Sequence, residues 1–182
     1  NVAPVTGVDF ATMLGIIRGG NAARKALDVL AARPPAGALA MTEVKLHAPI
    51  PRPAKNVFCV GWNYLEHFEE GAQKLQDNRE LPQWPVFFSK APTAVNGPFD
   101  PVPFDPAIST SLDWEVELAV VIGVEGKRIA KAHALAHVAG VTVMNDVSGR
   151  QAQFADSQWF RGKSFDTFAP LGPALVTLDE IG

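Results

Sequence analysis

The stretch from Trp114 to Ile122 constrains the fold most, because it is one of the two strongest strand candidates in the chain. Side chains alternate along a strand, so Glu115 and Glu117 share one face with Ala119 and Val121. Two acidic side chains therefore lie at the start of a face that is otherwise apolar. A strand end that simply meets solvent has the same pattern, so the pair alone is weak evidence for a functional site.

Short strands dominate the rest of the chain. Further runs rich in β-branched or aromatic residues predict strands at 42–46, 56–60, 86–88 and 140–144. Helices are predicted at 22–32, after Asn21 as N-cap, and at 130–138. Polar residues 64–80 predict an exposed helix or mobile lid, and 97–106 a loop. Because strands outnumber helices, the sequence predicts an α+β domain that is mainly β.

The proline-rich stretches 33–37 and 48–53 indicate a joint between an N-terminal segment and the main body. We therefore expect a small N-terminal subdomain at 1–52 and a larger main domain at 53–182. With 182 residues and 47% hydrophobic content, the chain is long enough for one domain with a substantial core.

Composition argues against several classes of partner. The net charge of −3 comes from scattered acids and bases, which offer no basic stripe for nucleic acid. The strongly apolar run Leu118–Ile122 is far shorter than the roughly 20 residues that cross a bilayer. Cys59 cannot form an internal disulfide and is expected in the core rather than as a nucleophile. We expect a cytoplasmic protein that binds neither nucleic acid nor membrane.

A third carboxylate strengthens the case for a metal site. Asp146 comes directly after the predicted strand 140–144, where it can converge with Glu115 and Glu117. Two carboxylates about 4 Å apart repel by on the order of 4 kcal/mol at an effective dielectric near 20. A half-buried cluster therefore needs protons or a cation. Oxygen ligands with open positions favour Mg²⁺, with Mn²⁺ or Ca²⁺ as other possible ions, and disfavour zinc.

Separated motifs in a fixed order carry a family resemblance. They are C-V-G-W-N-Y at 59–64 with His67 and Glu70, F-S-K at 88–90, D-W-E-V-E-L at 113–118, N-D-V-S at 145–148 with Arg150, G-K-S-F-D at 162–166 and L-G-P at 171–173. From about residue 47 to residue 182 the chain resembles the fumarylacetoacetate hydrolase family. The resemblance implies a rolled mixed β-sheet with short flanking helices, and a homodimer.

The same resemblance implies the site residues. Glu115, Glu117 and Asp146 match the positions that bind the divalent cation in the family. His67 and Glu70 match a dyad on a lid that activates water. On spacing alone, an ordinary solvated pair on a polar helix is favoured for these two residues.

Three cations complete the predicted site. Lys163 follows Gly162 and precedes an apolar and aromatic stretch, so its ammonium can be partly desolvated and directed at an oxyanion. A surface lysine is favoured without the family, and the G-K-S-F-D motif reverses that preference. Lys90 and Arg150 are predicted either to hold a substrate carboxylate or to fix the acidic metal ligands, and plain surface charge is equally compatible.

The resemblance, together with these residues, implies a metal-dependent hydrolase that cleaves a carbon–carbon bond in a small 1,3-dioxo acid of the acylpyruvate or fumarylpyruvate type. In that scheme His67 and Glu70 activate the water, and Lys163 stabilises the oxyanion. An isomerase or decarboxylase of 2-oxo or 2-hydroxy-dienoate diacids remains open on the same site. So does a truncated, non-catalytic metal-binding module, because the family's later T-G-T-P-x-G loop is not found in this sequence.

Overall fold

A computed structural model describes residues 7–66, 68–69, 80–103, 105–107, 109–155 and 157–181. Its α-helices with described ends are α1 (Met13–Ala32), α2 (Arg150–Phe154) and α3 (Phe160–Lys163). Its 3₁₀ helices are Met41–Glu43, Pro92–Ala94, Lys131–His137 and Leu178–Glu180. Its strands are β1 (Val57–Gly61), β2 (Val86–Lys90), β3 (Val95–Asn96), β4 (Leu112–Asp113), β5 (Val116–Ile122), β6 (Val138–Asn145), β7 (Ser148–Gly149) and β8 (Ala169–Val176).

Within these ranges the strands form three sheets. The largest has the order β3-β8-β6-β5, with β3 parallel to β8 and the other pairs antiparallel. Strands β1 and β2 form an antiparallel pair, and β4 and β7 form a second pair of two residues each. The mixed sheet and the excess of strands confirm the predicted α+β, mainly β class.

The core lies on one face of the largest sheet. Along β5, Glu117, Ala119 and Val121 point inward and are half-buried, as the period of two predicts, while the alternate residues are exposed. The buried cluster consists of Ala48, Ile50, Ala94, Met144, Ala169 and Leu171. Glu117 thus shares the half-buried face of β5 with Ala119 and Val121, which pack against this core.

The N-terminal segment packs against the same core. Met13, Leu14 and Ile17 of α1 are partly buried against the cluster, which itself includes Ala48 and Ile50. The division at residue 52 stays a prediction. None of the helices in the described ranges is long and apolar enough to cross a bilayer.

The predicted helix at 22–32 is the second part of a longer one. Helix α1 starts at Met13, where the hydroxyl of Thr12 accepts a 3.0 Å hydrogen bond from the backbone N–H of Gly15. Gly20 then adopts φ 52°, which interrupts the helical backbone. The helical residues before Gly20 were not predicted, because two consecutive glycines lower the helix propensity there and the actual break depends on the backbone angle of Gly20.

The predicted strand at 42–46 is wrong. Met41–Glu43 forms a 3₁₀ helix instead, because the side chain of Glu43 accepts a 2.8 Å hydrogen bond from the backbone N–H of Ala40. The segment at 130–138 is helical, but as the 3₁₀ helix Lys131–His137 rather than an α-helix. Four predicted strands are confirmed, and their observed ends differ from the predicted ones by no more than two residues: 56–60, 86–88, 114–122 and 140–144.

Met144 tests the position of the core. We expect Met144→Ala to lower the free energy of unfolding by about 2–5 kcal/mol, because it leaves a cavity among packed side chains. Met41→Ala is the matched control, since Met41 is 68% exposed and Met144 only 4%. Urea unfolding followed by circular dichroism measures both variants. Equal stability of the two variants would contradict this core.

Candidate active site

Backbone contacts bring the end of β6 beside the start of β5. The N–H of Asp146, the residue after β6, donates a 2.8 Å hydrogen bond to the carbonyl of Glu115. In return, the N–H of Glu115 donates to the side-chain oxygen of Asn145 at 3.2 Å. These contacts hold Glu115 and Asp146 close together although they lie far apart in sequence.

The ammonium of Lys163 joins these two carboxylates. It donates hydrogen bonds of 2.7 Å to Oε2 of Glu115 and of 2.7 Å to Oδ2 of Asp146. Lys163 ends α3 and is only 2% exposed, and its Nζ lies 5.0 Å from the centre of the Phe88 ring. The predicted desolvation of this lysine is confirmed, and its role toward a substrate stays a prediction.

Lys90 contacts the other oxygen of Asp146. Its Nζ donates a 2.6 Å hydrogen bond to Oδ1 of Asp146 and a 3.1 Å bond to the carbonyl of Val147. Burial lowers the pKa of Lys90, although Asp146 acts in the opposite direction. Burial also tends to raise the pKa of Asp146, but Lys90 and Lys163 outweigh it and hold that pKa below its usual value. Both groups are almost fully buried, so each depends on the other's charge.

Arg150, the first residue of α2, joins two more acids. Its Nε and Nη2 donate to Oδ2 of Asp113 at 3.0 and 2.5 Å, and Nη2 also donates to Oε1 of Glu115 at 2.7 Å. Its Nη1 donates to the side chain of Gln153 at 2.8 Å. Burial lowers the pKa of the guanidinium, but Asp113 and Glu115 raise it above its ordinary value. Burial raises the pKa of Asp113, and Arg150 reverses that effect and keeps it low.

Together these contacts form an alternating series of opposite charges, which we call the charge chain. Its members, in order of contact, are Asp113, Arg150, Glu115, Lys163, Asp146 and Lys90. Each inner member contacts two groups of opposite sign. Charges are costly to bury unless paired and hydrogen-bonded, so the alternation is what permits this cluster beside the core.

Glu117 lies beside the charge chain and has its own partner. Its Oε2 accepts a 3.0 Å hydrogen bond from the side-chain amide of Asn63. Asn63 follows Trp62, which adopts φ 51°, a left-handed conformation that a bulky residue rarely takes. Glu117 is thereby oriented by the chain just after β1.

The three predicted metal ligands are only partly assembled. In the described part of the chain, no group of three or more His, Cys, Asp or Glu side chains is placed to hold a metal ion. Glu115 and Asp146 meet at Lys163, and Glu117 lies on the same face of the chain two residues beyond Glu115. Their oxygen donors fit a hard divalent cation. The ligand role of the three carboxylates stays a prediction.

Two predicted catalytic residues, His67 and Glu70, lie outside the described residues. Their neighbour Phe68 is buried, and its ring meets that of Trp62 edge-on with centroids 6.1 Å apart. The ring of Trp62 also contacts that of Trp159, at 5.6 Å. Trp159 directly precedes α3, so aromatic contacts connect the start of the predicted lid to the helix that carries Lys163.

Several residues at the site were not predicted. Asp113, Gln153 and Asn145 each contact a member of the charge chain, and Asn63 contacts Glu117. The spacing of Arg150 and Gln153, three residues apart in a helix, was a usable signal. The other contacts join segments distant in sequence, so spacing alone does not reveal them.

Comparison with known proteins decides the family. Residues 56–182 match the family model described as Fumarylacetoacetate (FAA) hydrolase C-terminal, which covers more than half of the chain. The chain belongs to the fumarylacetoacetate hydrolase family. The residues that carried the resemblance, from the C-V-G-W-N-Y motif onward, fall inside the matched range.

Individual relatives of this family agree. The human protein named oxaloacetate tautomerase FAHD2A, mitochondrial, is 50% identical over 145 residues, which are 79% of this chain and 44% of that protein. The Bacillus subtilis (strain 168) protein named oxaloacetate tautomerase YisK is 45% identical over 141 residues, 78% of this chain and 46% of that protein. The chain therefore spans less than half the length of these relatives.

A solved structure confirms the fold. Fumarylacetoacetate hydrolase from psychrophilic Exiguobacterium antarcticum superposes with a TM-score of 0.74 at 37% identity, covering 95% of this chain and 57% of that one. The predicted fold of this family, α+β and mainly β, is thus found in the protein. The match extends from the main body into the N-terminal segment.

Removing Lys90 tests the charge chain. We expect Lys90→Met, measured without divalent cation, to lower the free energy of unfolding by about 3–5 kcal/mol, because it leaves a buried carboxylate without one partner. Lys45→Met is the control, since Lys45 pairs with Asp100 on the surface and the loss there is about 0–1 kcal/mol. Similar losses for both variants in urea unfolding would contradict the burial described for Asp146.

Cys59 offers a chemical test of the same region. Burial raises the pKa of its thiol to about 12, and the charge of Asp146 adds to the effect. Iodoacetamide reacts with the thiolate, so alkylation of the folded protein at pH 8 is expected to be slower by about a thousandfold than alkylation of the urea-unfolded chain. Mass spectrometry of timed samples measures both rates, and equal rates would show that Cys59 is accessible.

Proposed function

We propose that the protein is a divalent-cation-dependent enzyme that interconverts the keto and enol forms of a small 2-oxo dicarboxylic acid, with oxaloacetate as the first candidate. The observation that carries the proposal is the meeting of Glu115 and Asp146 at the buried ammonium of Lys163. Acids that can hold a cation, beside a desolvated donor, suit the stabilisation of an enolate. Two relatives at 45–50% identity bear the name oxaloacetate tautomerase, which supports this substrate class.

The cation would be held by Glu115, Glu117 and Asp146, with Mg²⁺ as the first choice and Mn²⁺ or Ca²⁺ as alternatives. When bound, the ion supplies Lewis-acid polarisation and a template for the substrate's oxygens. Carboxylate ligands with few other protein donors leave positions for water and substrate, as Mg²⁺ prefers.

Lys163 would act on the substrate's 2-oxo oxygen. An ammonium has three N–H donors, and its contacts with Glu115 and Asp146 use two of them. The third is available for an oxygen that gains negative charge. Because the group is almost fully buried, its charge is poorly screened by water and acts strongly on that oxygen.

Proton transfer completes the reaction. The keto form loses a proton from C3 to a base, and the resulting enolate takes a proton on its 2-oxygen to give the enol. His67, oriented by Glu70, is the predicted base. No atom is gained or lost, so the reaction needs neither a placed water nor a leaving group.

Carbon–carbon bond hydrolysis, the reaction predicted from the sequence, is the second candidate. It also produces an enolate, that of the released 2-oxo acid, and it adds a requirement for water activated by His67 and Glu70. The names of the relatives move our preference to tautomerisation. The isomerase alternative also consists of proton transfers through an enolate. Decarboxylation differs, because the bond between a carbon and its carboxylate group must break to release carbon dioxide.

Other expectations keep the status of predictions. They are the homodimer, the cytoplasmic location, and the lack of nucleic-acid and membrane partners. Lys90 and Arg150 were predicted to bind substrate, and their contacts with Asp146, Asp113 and Glu115 support the alternative role of fixing acidic ligands. A non-catalytic module would bind the cation without turnover.

A substrate panel with Mg²⁺ tests the proposal. We expect the protein to accelerate the enol-to-keto conversion of oxaloacetate, which is measured as the loss of enol absorbance. We expect Asp146→Asn to reduce that rate by about 100-fold or more. Asp28→Asn, on the exposed side of α1, is the matched control and should keep the wild-type rate. Cleavage of acylpyruvate without any effect on oxaloacetate would favour the hydrolase, and cation binding without turnover would favour the module.

A further inference from the structure

We infer that Asp113 is a positioning residue, which acts through Arg150 to hold the carboxylate of Glu115 in the orientation that the cation needs. This inference rests on the proposed function, since it concerns one of the proposed cation ligands. Asp113 itself does not contact Asp146 or Lys163 in the charge chain. The side chain of Asp113 is connected to that of Glu115 through its ion pair with Arg150.

The carboxylate of Asp113 is fixed at both oxygens. Oδ1 accepts a 3.0 Å hydrogen bond from the backbone N–H of Trp114, and Oδ2 accepts from Nε and Nη2 of Arg150. The two donors of Arg150 lie on one edge of the planar guanidinium, so their contact with a single residue sets the direction of the whole group. Asp113 thereby determines where Nη2 meets Glu115.

The backbone fixes the distance between Asp113 and Arg150. The two-residue strands β4 and β7 place Asp113 opposite Ser148, and the N–H of Arg150 donates a 2.9 Å hydrogen bond to the carbonyl of Ser111. The start of α2 is thus bound to the segment that carries Asp113. The backbone of Arg150 therefore stays close enough for its side chain to reach both Asp113 and Glu115.

The orientation of Glu115 depends on two opposing cations. Arg150 holds its Oε1 and Lys163 holds its Oε2. Without the charge of Asp113, Arg150 has Glu115 as its remaining carboxylate partner among the described residues. The guanidinium then competes with the cation for Glu115, which weakens cation binding.

The exposure of Asp113 separates this role from a simple contribution to stability. Its side chain is 46% exposed, and ion pairs that involve exposed groups add little to folding stability. Loss of the carboxylate is therefore expected to change cation affinity much more than the melting temperature. A residue with a purely structural role would show the reverse.

Calorimetric titration with MgCl₂, without substrate, tests this inference. We expect Asp113→Asn to weaken Mg²⁺ binding by about tenfold or more, as is typical when a partner of a metal ligand is lost. Asp179→Asn is the matched control, because Asp179 also pairs with an arginine, Arg24, and neither residue belongs to the charge chain. The control should bind Mg²⁺ with the wild-type Kd.

A second variant keeps the test decisive if Asp113→Asn does not fold. Arg150→Lys keeps the charge but cannot contact Asp113 and Glu115 with one planar group, so it should weaken Mg²⁺ binding to a similar extent. Because Asp113 acts through Arg150, the double variant should bind about as weakly as Arg150→Lys alone. This lack of additivity would not arise if the two residues acted separately.

The outcomes distinguish the two proposals. If the wild-type protein binds no Mg²⁺ or Mn²⁺, the proposed cation site fails. If the wild type binds Mg²⁺ and Asp113→Asn binds it as tightly as Asp179→Asn does, the positioning role is overturned while the cation site stands. Where Asp113→Asn does not fold, the same comparison is made with Arg150→Lys. Weaker binding with a nearly unchanged melting temperature supports the inference.

Discussion

The buried ammonium of Lys163 holds the carboxylates of Glu115 and Asp146 together through one hydrogen bond to each. Taking an ion out of water costs several kcal/mol, so these groups tolerate burial only because each inner member of the charge chain has two opposite neighbours. The arrangement requires the end of β6, the start of β5 and the end of α3 to meet at one point. Strands β5 and β6 are neighbours in the mixed sheet, and the side chains of Lys90, Asp146 and Lys163 are almost fully buried beside them.

Local physics explains what the sequence could predict. The strand around Glu115 and Glu117 shows a period of two, and the strand before Asp146 is a continuous apolar run, so both were found from short stretches of chain. The first part of α1 was missed, because the effect of Gly20 depends on a backbone angle. The predicted strand at 42–46 was wrong, because the hydrogen bond from the N–H of Ala40 to the side chain of Glu43 stabilises a helical turn there. The contacts of Asp113 and Asn63 join distant segments, which only the folded chain brings together.

Membership of the fumarylacetoacetate hydrolase family limits the chemistry without selecting one reaction. An enolate is common to tautomerisation, isomerisation, decarboxylation and carbon–carbon hydrolysis, and the oxygens around Lys163 suit all of them. What separates these reactions is how protons and water are supplied. The predicted base, His67 with Glu70, is therefore the feature that we expect to decide between these reactions.

We propose that Glu115, Glu117 and Asp146 bind one divalent cation beside Lys163. Anomalous diffraction from crystals grown with MnCl₂ tests this proposal, because the signal comes from the metal alone. We expect one strong peak within coordination distance of oxygens from all three residues, with the Lys163 ammonium adjacent. A peak bound elsewhere on the protein, or the absence of any peak while Lys163 still joins Glu115 to Asp146, would contradict it.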